Sequence, residues 1–172
     1  MKLNKLLSPS ILAPLAFTMA SAMATENTSG FTLAVVEDAT GSDEIIAGDY
    51  HAGLASIASI TADKKFAHFT SLCVAHIKTA NLASAETACT DAIKAIPAKA
   101  SRGRHGKLLK ALAYSNRGIA RYLDGENLSA FEDFSKAKSL SKHTLIVENV
   151  TYFSNNRLPA LTSDFSNELT AE

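Results

Sequence analysis

From Asp43 onward the apolar residues recur at steps of three and four, and no convincing alternation at period two appears. That spacing gives each segment one apolar stripe of an α-helix and leaves nothing suited to a half-buried strand. Ile45 and Ile46 precede a break at Gly48-Asp49, after which Leu54, Ile57 and Ile60 recur every three residues. Phe66, Phe69, Cys73 and Ile77 form the next run, interrupted at Ala80-Asn81. Leu82, Ala85, Cys89, Ala92 and Ile96 follow and stop at Pro97. Leu108, Leu112, Ile119 and Leu123 mark another helix, ended by Asp124-Gly125. Its partner carries Leu128, Phe131, Phe134, Ala137 and Leu140, supported by the Glu132 and Lys136 pair at i, i+4. Ile146, Val150 and Phe153 suggest a last helix before Asn155-Asn156 and Pro159. Apart from one longer link the connections are very short, which forces antiparallel neighbours. The expected class is all-α, a stack of antiparallel helical hairpins over residues 43–157. An irregular segment, 25–42, precedes it, with Phe31 to Val36 as a short extended piece, and a polar, flexible tail, 158–172, follows. At 172 residues, 47% hydrophobic and 20% charged, the chain suits one domain with a real core and excludes wholesale disorder.

The hairpins overlay on one another. With Ala111 as first position, Tyr114 stands fourth, Gly118 eighth, Ala120 tenth, Gly125 at the turn, Ala130 twentieth, Phe134 twenty-fourth and Ala137 twenty-seventh. Phe66 to Lys99 fits the same frame through Phe69, Leu72, Cys73, Ala85, Cys89, Ala92 and Pro97. This pattern resembles the tetratricopeptide repeat, a 34-residue helix-turn-helix, with full repeats at about 66–99 and 111–144. Asn116-Arg117-Gly118 looks like a frequent variant of the family's first helix, and Ala47 to Ile60 resembles a second helix alone, giving about two and a half repeats. Ala100 to Lys110 separates the full repeats, and Arg121 stands where a large apolar residue is usual. The physical content is that a small residue in one helix lets the next backbone approach, while large residues fill the flanking layers. The resemblance implies a concave groove lined by Ala67, Thr70, Val74, Ile77 and Lys78, then Leu112, Ser115, Ile119, Tyr122 and Leu123. Such a lining suits an amphipathic helix or an extended peptide; the family's carboxylate clamp is not present.

Lys2 and Lys5, the mostly apolar stretch Leu6–Ala20 and the small residues Ser21-Ala22-Met23-Ala24 have the order of a secretory signal peptide, residues 1–24. Cleavage is expected after Ala24, with Ala22 as the alternative. No cysteine stands at the cut for lipid attachment, so the expectation is an exported chain without membrane insertion after cleavage. The periplasm is favoured and secretion is the other possibility.

Cys73 and Cys89 lie equidistant from residue 81, at the turn, and therefore at one height of an antiparallel hairpin. In an oxidising compartment they are expected to join; the rival state is two buried thiols acting as small hydrophobes. Cys73, His76 and Cys89 share a face with metal-ligand spacing, but no fourth ligand is evident. His51, His68, His105 and His143 are scattered. No phosphate loop, HExxH helix or GxSxG elbow occurs, so neither catalysis nor a cofactor is expected.

Charge is segregated although its formal total is zero. Residues 25–63 hold seven acids and no Lys or Arg; residues 94–121 hold eight basic residues and no acid. Lys107, Lys110, Arg117 and Arg121 share a helical stripe with Tyr114. That stripe is either a docking surface for an acidic partner or is satisfied internally, by the acidic N-terminal part or by snorkelling of the two arginines. Aromatic interleaving is too sparse for nucleic acid. The leading expectation is a non-catalytic module that binds another protein or peptide in its groove. The alternative is a small periplasmic enzyme or metal-binding factor built on Cys73, His76 and Cys89.

Overall fold

A computed structural model describes residues 30–37, 39–59 and 65–169, with side chains to residue 156. The expected signal peptide, its cleavage site and Ile60 lie outside the described residues. Those described form seven α-helices: α1 (Ser42–Ala47), α2 (Tyr50–Ala58), α3 (Phe66–Lys78), α4 (Leu82–Ala95), α5 (Arg104–Leu123), α6 (Asn127–Leu140) and α7 (Thr144–Leu169). No strand occurs among the described residues, and no helix among them is long and apolar enough to cross a membrane. The class is all-α.

Three corners share one hydrogen-bond pattern. At the α1–α2, α3–α4 and α5–α6 turns, a residue of positive φ donates three residues back, and its successor donates five residues back. These bonds are Gly48 N–H to Ile45 and Asp49 N–H to Glu44; Ala80 to Ile77 and Asn81 to His76; Gly125 to Tyr122 and Glu126 to Arg121. Such corners satisfy the last carbonyls of one helix and reverse the chain. Gly48 and Gly125 adopt φ of 89° and 86°, and Ala80 does the same work at 56°. Asp49 and Asn81 then cap α2 and α4, accepting from the N–H groups of Ala52 and Ser84.

Each helix packs on its neighbour in sequence, and α5 also reaches α3 and α7. The central core joins Cys73, Ile77, Ala85 and Cys89 of the α3–α4 pair to Ile119, Ala120, Ala130 and Phe134 of the α5–α6 pair, with Phe153 of α7. A second cluster ties Ile45 and Ile57 to Val74 and Ala75; a third ties Ala111 and Ala137 to Ile146. The buried alanines permit close approach of backbones, and the larger residues fill the space between layers. Gly118 illustrates the tolerance: a Cβ there would stand 3.3 Å from the ring of the fully buried Phe134. Cys73 and Cys89 are joined in a disulfide across the α3–α4 pair, with 5.0 Å between their Cα atoms.

Two boundaries differ from the sequence reading. The long link between hairpins is mostly helix: Ala100–Arg102 forms a 3₁₀ turn and α5 begins at Arg104. Leu108 and Ala111 keep one apolar face running into the repeat, so nothing stops the helix from starting early. At the other end, α7 continues to Leu169, past Asn155-Asn156 and through Pro159, beyond the helix end expected before Asn155. Proline removes one backbone donor from a helix, and the turns on either side keep their own.

Candidate functional site

The irregular N-terminal segment is extended over Phe31 to Val36, with Thr32 and Ala34 bonded along one edge, and it packs against α5, α6 and α7. Two buried asparagines hold it. Asn116 of α5 accepts from the Ala34 N–H and donates to the Ala34 carbonyl, both at 2.9 Å. Asn149 of α7 does the same to Thr32, both at 2.8 Å. Each amide side chain presents an oxygen and an N–H side by side, the pair of groups a neighbouring strand presents to a residue of extended backbone. Thr32 and Ala34 are two apart, so their polar groups point along the same edge, and α5 and α7 read that edge together. Asn149 also donates to Ser115 Oγ at 2.9 Å, which fixes its orientation.

Phe31, Leu33 and Val35 are partly buried against the core, and Ala34 between them is buried as well. Phe31 stacks on Phe134 at 5.7 Å between ring centroids and meets Tyr122 and Tyr152 edge-on at 5.1 and 4.6 Å. Leu33 packs against both the central and the second cluster, and Val35 against the second. Three apolar side chains and four backbone hydrogen bonds thus bind six residues with both backbone direction and register defined.

This corrects the picture of an open groove. Thr70, Val74, Ile77, Ser115 and Ile119 are all buried. Ile77 and Ile119 belong to the cluster covered by Phe31 and Leu33, and Val74 to the one covered by Leu33 and Val35. Tyr122 and Leu123 are half-buried against the central cluster, while Leu112 packs beside α7. Thr70 donates to the Phe66 carbonyl, and Lys78 lies 5.9 Å from the Tyr50 ring centroid. Asn116 entered the sequence reading within Asn116-Arg117-Gly118 without a role, and Asn149 not at all. A signal existed: Asn116 falls four after Leu112 and three before Ile119, and Asn149 three after Ile146 and four before Phe153. An amide on a core-facing stripe must find partners.

The basic stripe divides in two. Arg117 makes a two-point contact with Asp133 of α6, at 2.8 and 2.7 Å, and donates to Thr90 of α4 at 2.9 Å. Arg121 donates to Glu86 of α4 at 2.8 and 2.6 Å and to Asp133 at 3.0 Å. Burial opposes the charge of Arg117, but its hydrogen bonds to Asp133 and that carboxylate's charge raise its pKa on balance. These two arginines are therefore an internal brace of α4, α5 and α6 rather than a docking surface, and among the described residues their counter-charges come from α4 and α6. Lys107 is exposed and Lys110 half-buried.

The Cys73, His76 and Cys89 set does not offer a metal two thiolates, because its sulfurs are bonded to each other. No group of three or more His, Cys, Asp or Glu poised for a metal occurs among the described residues. His76 lines a shallow cleft of ≈ 380 Å³ beside Phe69, Leu72 and Asp91, and burial lowers its pKa. Compared with known protein families, curated proteins and solved structures, the chain matches none.

Proposed function

We propose that this is an exported, non-catalytic interaction module of tetratricopeptide-like architecture whose inner face recognises an extended peptide. The periplasm is the compartment that best suits a disulfide-bonded chain with this N-terminal sequence. The observation that carries the reading is the pairing of Asn116 and Asn149 with alternate residues of the chain's own segment 31–36. Backbone-directed amides accept many sequences, while pockets for every second side chain select apolar residues. A partner peptide would therefore carry apolar residues at alternate positions, as Phe31, Leu33 and Val35 do. It would also have to displace a tethered competitor, whose effective concentration is of the order of millimolar. After removal of residues 1–24 the segment would stand close to the new N-terminus, so its release would require no other break in the fold.

The test uses the full mature chain. Thr32→Pro with Ala34→Pro deletes the two N–H groups that donate to the asparagines and leaves the receiving face intact. A synthetic peptide of residues 30–37 should then bind in trans, and further Asn116→Ala and Asn149→Ala changes should abolish that binding. A cooperatively melting Thr32→Pro, Ala34→Pro protein that ignores the peptide would overturn the proposal.

A further inference from the structure

The N-terminal end of α5 differs from the braced end described above. Arg104 and Lys107, on its first turn, meet Lys142 and His143, in the connection from α6 to α7, around a cavity of ≈ 530 Å³. All four side chains are exposed, and among the described residues none of them makes an ion pair. The reason is visible in the sequence. The cavity is built from two stretches, 94–121 and 134–147, that contain neither Asp nor Glu. The nearest following acid is Glu148, on the second turn of α7, and it does not line the opening. Like charges gathered in a concavity without a counter-ion raise the local potential for an anion.

Leu108 and Leu140 form an apolar wall of the same cavity. Ser141 also lines it; its Oγ accepts from the His143 N–H at 3.2 Å, leaving the hydroxyl proton to donate outward. The volume falls within the range of about 300–1,000 Å³ typical of small-molecule sites and is generous for a single inorganic oxyanion.

We infer that this cavity binds a small organic molecule bearing two or more oxyanion groups, phosphate or carboxylate. Arg104 would take one group in its planar two-donor geometry, and Lys107 and Lys142 would supply point charges. The carbon skeleton would lie on Leu108 and Leu140. The site is independent of the peptide-binding face, since it shares no residue with it.

The test is calorimetric titration of the mature protein with three probes: citrate, fructose 1,6-bisphosphate and inorganic phosphate. Citrate or the bisphosphate should bind saturably and at least about tenfold more tightly than inorganic phosphate, a difference of roughly 1.4 kcal/mol. Whichever is tighter distinguishes a carboxylate from a phosphate ligand. Arg104→Glu with Lys142→Glu should weaken that binding by about tenfold or more, whereas Lys94→Glu with Lys99→Glu, outside the cavity, should leave it unchanged. Should the first pair unfold the chain, Lys107→Gln alone should lower affinity about threefold, by loss of one partly screened charge. The inference fails if no probe saturates. It fails equally if both charge-reversed pairs weaken binding to the same degree, which would mark diffuse attraction to a basic surface.

Discussion

Cys73 in α3 and Gly118 in α5 stand at equivalent positions of two hairpins, and so do Cys89 and Phe134 across the turn. The contact is the same, a close approach of two antiparallel helices, but its chemistry is not. In the α3–α4 hairpin two small side chains are bonded to each other. In the α5–α6 hairpin a glycine makes room for a ring, and that ring carries the aromatic cluster with Phe31 and Phe153. The flanking layer diverges as well. Where the second hairpin has Arg117, Arg121 and Asp133, the first has Leu72, His76 and Ala88. One hairpin is held by a covalent link, the other by a ring in a socket and a braced set of charges. The frame specifies distances, and two chemically different pairs of side chains fill them.

The contrast between the hairpins hinges most on Asp133, which is 4% exposed in its side chain and serves two guanidinium groups. Asp133→Ala should destabilise the protein by about 3–5 kcal/mol, the cost of leaving the largely desolvated Arg117 without a carboxylate, while Arg121 keeps Glu86. Chemical denaturation gives the value. An effect below that of an ordinary surface ion pair would mean that the brace is ornamental and that α5 and α6 are held by Gly118 and Phe134 alone. The disulfide comes next. The two cysteines are 16 residues apart, and closing a loop of this size stabilises by about 3 kcal/mol in the chain-entropy view. Cys89→Ala should cost that amount, and peptide mapping without reductant should find Cys73 and Cys89 linked in the parent protein. Two freely alkylated thiols would remove the contrast between the hairpins.

Helical periodicity, antiparallel pairing and the Cys73–Cys89 link were legible because each depends on spacing within some thirty residues. What the sequence hid depends on partners brought from afar. The segment 31–36 reads as a short extended piece, but its partners do not, because its hydrogen bonds go to Asn116 and Asn149, 82 and 117 residues away, rather than to another strand. Its three alternating apolar residues are too few to announce a docked peptide. Whether Arg117 and Arg121 face a partner or are satisfied internally stayed open in the sequence because 94–121 contains no acid; their counter-charges, Glu86 and Asp133, come from the flanking helices. The candidate lining residues Val74, Ile77 and Ile119 could be named from the helix faces, but not the segment that packs over them. A lining is a property of helix faces, whereas its occupant comes from a part of the chain with no helical pattern.

The smallest expected effect lies at the corner between α3 and α4. Ala80 occupies the place that Gly125 occupies between α5 and α6, with a φ of 56° against 86° and the same two backbone hydrogen bonds around it. For a residue with a Cβ, that left-handed conformation costs about 1–2 kcal/mol through contact with the following carbonyl. Glycine avoids the contact but gives up about 0.5–1 kcal/mol of chain entropy on ordering. The balance favours glycine by roughly 0.5–1 kcal/mol, so Ala80→Gly should raise the melting temperature by about 1–4 °C in a chain of this size. Ala80 is exposed, so the change removes no core contact that would mask the gain. The reverse change, Gly125→Ala, should lower stability by a similar amount, because the two corners share one geometry. Should Ala80→Gly destabilise instead, the first corner would not be the strained copy of the second, and the equivalence of the two hairpins would end at their turns.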